Sequence, residues 1–234
     1  MSQDVQELVQ AARMNMVTHV PDVEALAEPQ IVSWSEVGDP GGFPVLLMLG
    51  VDSHRYLALL FDSLARAHGL RLLCLDRPGR GRSSHFCDDA TNRILAFPRI
   101  VKAFCAANKI ESFALLGQSL GATYALHCAQ VLREMVATTV YLVSPWIPLS
   151  APGANTLLGA TEALPKWLVE GAMKVGSAIP RLFSSVAVGS AASAGARGCS
   201  ADEARVFETP LAGQVFDAVA NLEEPQEGVI QDGL

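Results

Sequence analysis

The spacing of apolar residues changes period along the chain, and each change predicts an element. Val5, Leu8, Val9, Ala12 and Met16 recur at helical intervals, predicting a short amphipathic helix at the N-terminus. Residues 31–37 set Ile31, Val32, Trp34 and Val37 among serines and Glu36, a strand pattern, and residues 38–42 (Gly-Asp-Pro-Gly-Gly) are turn punctuation. Residues 44–49 are apolar throughout, as in a strand covered on both faces of a parallel sheet. Leu57, Leu60, Phe61 and Leu64 give residues 56–68 a helical period, with Gly69 placed to end it. Residues 71–75 predict a second buried strand and residues 76–84 a loop. Residues 89–108 predict a helix that Pro98 should kink or break. A third buried strand follows at 113–116, an Ala- and Leu-rich helix at 120–135, and a fourth strand at 138–143, stopped before Pro145.

Strand and helix therefore alternate through the middle of the chain. That order calls for an α/β fold: a doubly wound, mostly parallel sheet with helices on both faces. After residue 150 the rhythm is lost. Residues 151–222 are rich in Ala, Leu and Gly with helical periods and no strand of the earlier type, and residues 223–234 are polar. The expected organisation is an N-terminal helical extension (1–28), an α/β core (29–150), a helical segment (151–222) and a polar tail (223–234).

Composition narrows the class of partner. Half of the 234 residues are hydrophobic and 18% are charged, which excludes a disordered chain. Seventeen basic against 24 acidic residues leave a net charge of −7, so nucleic acid is not an expected partner. The five cysteines, Cys74, Cys87, Cys105, Cys128 and Cys199, include no CxxC pair. No metal site, disulfide framework or cofactor is expected, and the expected location is a reducing one, the cytoplasm. Asp4 and Glu7 stand where a secretory signal would be basic, and no apolar run approaches the ~20 residues that span a bilayer. Mean hydropathy is nonetheless +0.28, which suits an apolar substrate or a membrane face.

The chemistry is concentrated in Gly117-Gln118-Ser119-Leu120-Gly121, between the third buried strand and the helix after it. A GxSxG segment in strand–turn–helix context is the pattern of a nucleophile elbow. The serine takes a strained turn, the glycines let strand and helix pass closely, and the helix head favours a developing anion.

Taken with two further stretches, this segment resembles the α/β-hydrolase superfamily. "SWSEVGDPGGFPVLLMLG" is similar to that family's first strands, and residues 49–55 stand where it carries a His-Gly oxyanion loop, with Leu49 in place of the His. "LDRPGRGRSS" (residues 75–84) is similar to its strand-four loop, and together these cover about residues 29–146. The resemblance implies Ser119 as nucleophile, the backbone N–H groups of Val51 and Leu120 as oxyanion hole, Gly50 and Gln118 lining the pocket, and residues 151–222 as a cap over a pocket for an apolar group.

The family's order is Ser, then acid, then His. After Ser119 the sequence holds only His127, eight residues on and about 12 Å away along a helix at 1.5 Å per residue, beyond hydrogen-bond reach. Residues 144–146, Ser-Pro-Trp, supply no acid at the alternative position. The sheet is thus expected to stop at the family's sixth strand, the chain reading as C-terminally shortened. His54 and His85 are the candidates for a substitute base; His19, His68 and His127 read as structural. Arg77, Arg80 and Arg82 read as a solvated loop with a contact to Asp76. The expected function is a serine hydrolase of the esterase or lipase type, acting on a small or apolar ester, with activity absent or very low in this chain. The alternative is a non-catalytic ligand-binding or partner protein on the same scaffold. The strand at 138–143, apolar and without Lys or internal Pro, is expected to leave an exposed edge through which a homodimer could form.

Overall fold

A computed structural model describes residues 5–147 apart from 52 and 88. Six strands among them make one sheet in the order β1-β2-β4-β3-β5-β6: β1 Met16–Val20, β2 Gln30–Gly38, β3 Phe43–Met48, β4 Leu70–Leu75, β5 Phe113–Gln118 and β6 Val136–Val143. β1 pairs antiparallel with β2, and β2 antiparallel with β4. β4, β3, β5 and β6 then run parallel. The mostly parallel sheet expected from the alternation is present, and its parallel part begins with the continuous apolar runs.

Neighbouring strand residues go to opposite faces. Leu46, Met48, Leu73, Leu75 and Leu115 join Phe97, Val101, Phe104 and Tyr124 in one buried cluster. Val45, Leu47, Leu72, Cys74 and Ala114 join Val9, Met14, Tyr56, Leu59 and Ala65 in the other. These strands are apolar on both sides because α3 (Ala90–Ala107) and α4 (Gly121–Val131) cover one face, while α1 (Val5–Gln10), a 3-10 turn (Arg55–Phe61) and α2 (Asp62–Ala67) cover the other. An edge-on contact between Phe97 and Tyr124, with centroids 5.1 Å apart, ties α3 to α4 and is worth about 0.5–1.5 kcal/mol beyond its burial.

Four local expectations are corrected. Residues 1–28 are not simply a helical extension: Met16 ends the apolar period as the first residue of β1, so the sheet starts ahead of residue 29. Strand pairing wins there because Val20 gains full burial beside β2. Pro98 does not break α3, which runs unbroken for 18 residues. Buried Phe97, Ile100 and Val101 flank it, and their packing outweighs the ~3 kcal/mol that an interior proline costs. The helix expected over 56–68 begins as the 3-10 turn and becomes α only at Asp62. The helix expected over 120–135 ends at Val131. The cap (151–222), the tail (223–234) and Cys199 lie outside the described residues.

Candidate active site

Parallel register decides which loops meet. β3 pairs with β4 as Leu47↔Cys74; carried three residues further, the same register sets Gly50 opposite Arg77. β3 pairs with β5 as Met48↔Gly117, and two residues further Gly50 falls opposite Ser119. The carboxyl ends of three adjacent strands thus converge on Gly50, the end of a parallel sheet at which open α/β folds bind ligands.

Side-chain contacts bear this out. Gly50 donates its N–H to Gln118 Oε1 at 2.8 Å. A methyl group on Gly50 would stand 3.0 Å from Ser119 Cβ and 3.3 Å from Ser119 Oγ, so the bare glycine backbone lies directly against the serine. Arg77 Nη2 donates to Gly50 O at 2.7 Å and to Val51 O at 2.8 Å. The Arg77 guanidinium also lies 5.5 Å over the ring of Tyr124 on α4.

Ser119 has φ +52, a left-handed conformation that costs a non-glycine residue about 1–3 kcal/mol. Three backbone bonds hold it: its N–H donates to Val143 O on β6, and its carbonyl accepts from the Ala122 and Trp146 N–H groups. Leu120 is the N-cap of α4, so the serine stands one residue ahead of the helix cap. The two glycines of the segment are sterically required. A Cβ on Gly117 would meet Ala122 Cα at 2.6 Å, and one on Gly121 would meet Met48 O at 2.0 Å. The sharp turn expected at GxSxG is therefore present, with Ser119 partly exposed at its tip and Leu120 buried.

Beneath this corner lies a buried ionic network. Asp76 is 4% exposed; its Oδ1 accepts from Arg55 N at 3.0 Å, and its Oδ2 accepts from Arg55 Nη1 at 2.6 Å and from Ser33 Oγ at 2.7 Å. Arg55 also donates to Met14 O and to Asn15 Oδ1, which accepts in turn from the Tyr56 hydroxyl. Gly81, at φ +54, leaves room for the pair: a Cβ there would stand 2.3 Å from Asp76 Oδ2. Residues 50–55 are thereby anchored at one end by Asp76 and at the other by Arg77 and Gln118.

Two expectations change as a result. Arg77 and Arg80 are buried rather than solvated, and the ion-pair partner of Asp76 is Arg55. Only Arg82 is exposed, where it donates to Asn15 O. His54 is buried: it is 4% exposed, just ahead of the 3-10 turn, its ring 6.3 Å from that of Tyr56. His85 is exposed in the loop after β4, and His127 lies on α4. Ser119, Gly50, Gln118 and the loop bearing Val51 are brought together. The place of Arg77 two residues beyond β4, the strand beside β3, is the sequence signal for its contact with the loop. Among the described residues no group of His, Cys, Asp and Glu is arranged to hold a metal ion, and no helix is long and apolar enough to cross a membrane.

A family model described as the alpha/beta hydrolase fold matches residues 41–180, more than half of the chain. The chain belongs to the alpha/beta hydrolase fold family. Similar solved structures include a proline iminopeptidase-related protein from Thermus thermophilus (23% identity, TM-score 0.46), covering 57% of this chain and 45% of its own. A laboratory-evolved variant of potato epoxide hydrolase (20% identity, TM-score 0.47) covers 63% and 46% respectively. An alpha/beta superfamily hydrolase from Oenococcus oeni (23% identity, TM-score 0.41) covers 49% and 41%. This hydrolase-fold chain thus spans less than half the length of these three structures. No curated protein matches it as a relative.

Proposed function

We propose that Ser119 is the nucleophile of an ester-hydrolysing site, with the N–H groups of Leu120 and Val51 as the oxyanion hole and residues 151–222 as a cap over an apolar acyl or alcohol group. The observation that supports it is the left-handed Ser119 at the nucleophile elbow, wedged between two glycines and lying against the Gly50 backbone. In this reading Ser119 Oγ attacks the ester carbonyl, the two N–H groups receive the oxyanion, the alcohol departs, and water releases the acyl group. The reaction needs a base for the serine proton. The sequence holds no histidine after His127, so His54 and His85 are the candidates. Turnover by this chain alone is therefore expected to be absent or very low, of the order left by binding and an oxyanion hole without a triad, ~10³–10⁴ over water.

Boron-11 NMR of phenylboronic acid tests the site without needing a base, because adduct formation is an equilibrium. The Ser119 hydroxyl loses its proton to buffer, an O–B bond forms, and trigonal boron becomes tetrahedral. A protein-bound tetrahedral signal that Ser119→Ala abolishes is expected; no signal, or one that survives in Ser119→Ala, overturns the proposal. With a short-chain p-nitrophenyl ester, wild type is expected to be no faster than Ser119→Ala. Ser119-dependent turnover rising with a pKa near about 6.5 would instead make a histidine the base, to be identified by His54→Ala and His85→Ala.

Two further proposals concern setting and assembly. Cys74, Cys87, Cys105 and Cys128 are free thiols, which suits a reducing, cytoplasmic location. β6 is the last strand of the described sheet, with Tyr141, Leu142 and Val143 exposed, which supports self-association along that edge.

A further inference from the structure

We propose that Arg77 is the positioning residue of the oxyanion hole: by gripping the Gly50 carbonyl it aims and polarises the Val51 N–H. This rests on the reading of Ser119, Leu120 and Val51 given above. The argument begins with the peptide plane. Gly50 C=O and Val51 N–H belong to one peptide group, which is planar and trans, so the two bonds point in opposite directions. Whatever fixes the carbonyl fixes the N–H. Arg77 Nη2 fixes it at 2.7 Å, and its bond to Val51 O at 2.8 Å holds the next peptide as well. Gln118 Oε1 holds the preceding one through Gly50 N–H at 2.8 Å. Three consecutive peptide groups are thus tied by two side chains, and the Val51 N–H is left no freedom to turn about the chain axis.

Arg77 is itself rigid. It is 3% exposed, stands two residues beyond the end of β4, and lies over the ring of Tyr124, which is fully buried on α4. α4 is also the helix whose cap residue, Leu120, supplies the other proposed N–H donor. Arg77 therefore braces the two carriers of the hole against each other, the loop after β3 and the head of α4. Its charge has a second effect. A cation on the carbonyl of an amide draws electron density from that amide and strengthens its N–H as a donor, the cooperativity expected of chained hydrogen bonds in a low-dielectric site. A neutral side chain of the same size would not supply the polarisation.

The phenylboronic acid titration reads this directly, since its tetrahedral adduct sets a boron-bound oxygen where the oxyanion would be. With the 234-residue chain, Arg77→Ala is expected to weaken formation of the tetrahedral adduct about 10–100-fold, below the ~10²–10³ seen when a donor is removed outright. Methylguanidinium at sub-denaturing concentration is expected to restore most of that loss, which a merely structural arginine would not show. Arg93→Met removes another fully buried arginine, one that donates to Cys87 O. It is expected to lower the melting temperature and leave adduct affinity unchanged. If Arg77→Ala does not fold, Arg77→Lys replaces it; the shorter side chain does not carry its ammonium to the place of Nη2, so affinity is expected to fall by a smaller factor. Wild-type affinity in the folded Arg77 variant, or loss without rescue and matched by Arg93→Met, overturns the role of Arg77 while Ser119 stands. An adduct absent from wild type, or kept in Ser119→Ala, overturns the underlying reading and this inference with it.

Discussion

Gly121→Ala puts the geometry of the corner to its hardest test, because two physical effects oppose each other there. Gly121 opens α4, and alanine is the better helix former by up to about 1 kcal/mol. Against this, the added Cβ would stand 2.0 Å from Met48 O, 2.4 Å from Met48 C and 2.7 Å from Leu49 O. All three are backbone atoms in or next to β3, which is hydrogen-bonded on both sides and cannot swing away as a side chain would. To reach even a close ordinary contact of 3.4 Å, helix and strand must separate by ~1.4 Å. Overpacking a rigid interior costs typically 1–3 kcal/mol and occasionally more. The clash therefore wins, and a net loss of about 2–3 kcal/mol is expected. At about 2–4 °C per kcal/mol for a chain of this size, the melting temperature should fall by about 4–12 °C. The displacement falls between Leu49–Gly50 and Ser119, and a 1 Å misplacement can cost ~10²-fold in a positioned reaction. Boronate affinity should accordingly drop at least about tenfold. Thermal denaturation followed by circular dichroism and the boron-11 titration measure the two effects. A variant with wild-type stability and wild-type affinity would show that α4 and β3 are not locked together as described.

Three further outcomes follow from the same contacts. Arg55 and Asp76 form a fully buried pair, so Arg55→Met and Asp76→Asn should each cost about 3–5 kcal/mol, and the double variant should cost less than their sum; additive losses in urea denaturation would refute the pairing. Burial acts to raise the Asp62 pKa, but the hydrogen bonds from Arg13 and the Gly38 N–H, with the charges of Arg13 and Arg66, outweigh it and hold the carboxyl below its ordinary 3.8. A folded pKa below the unfolded one gives stability that is complete above the unfolded value and is lost as pH falls through the folded value. Asp62→Asn should therefore cost about 1 kcal/mol at pH 7, with the gap to wild type closing below about pH 4; a gap independent of pH would refute it. Val140→Lys places a charge within β6, and light scattering across a dilution series should show less self-association than wild type, whereas an unchanged mass would rule out the edge as the contact.

The periods along the chain were sufficient for the architecture. Four apolar runs, three intervening helical patterns and a GxSxG segment at one strand–helix junction already imply a doubly wound sheet with Ser119 at its carboxyl edge, because burial on both faces leaves a parallel strand no polar alternation to hide behind. Local chemistry also indicated where the turn must be sharp: the glycines at positions 117 and 121 let strand and helix pass closely. What the sequence could not disclose was anything dependent on which strands are neighbours. The order β4-β3-β5 sets Arg77 and Ser119 on either side of Gly50, although 27 and 69 residues separate them from it along the chain. A cluster of arginines beside an aspartate looks the same in sequence whether it is solvated or buried. Only the packing of the 3-10 turn against β2 and β4 paired Asp76 with Arg55 and set Arg77 against the loop. β1 was hidden for the same reason: residues 16–20 lack a strong pattern of their own, and they become a strand because β2 offers an edge to pair with. Helical and strand periods are local and can be read along the chain; register, ion-pair choice and the aim of a peptide N–H are properties of neighbours in space, and the tertiary structure alone decided them.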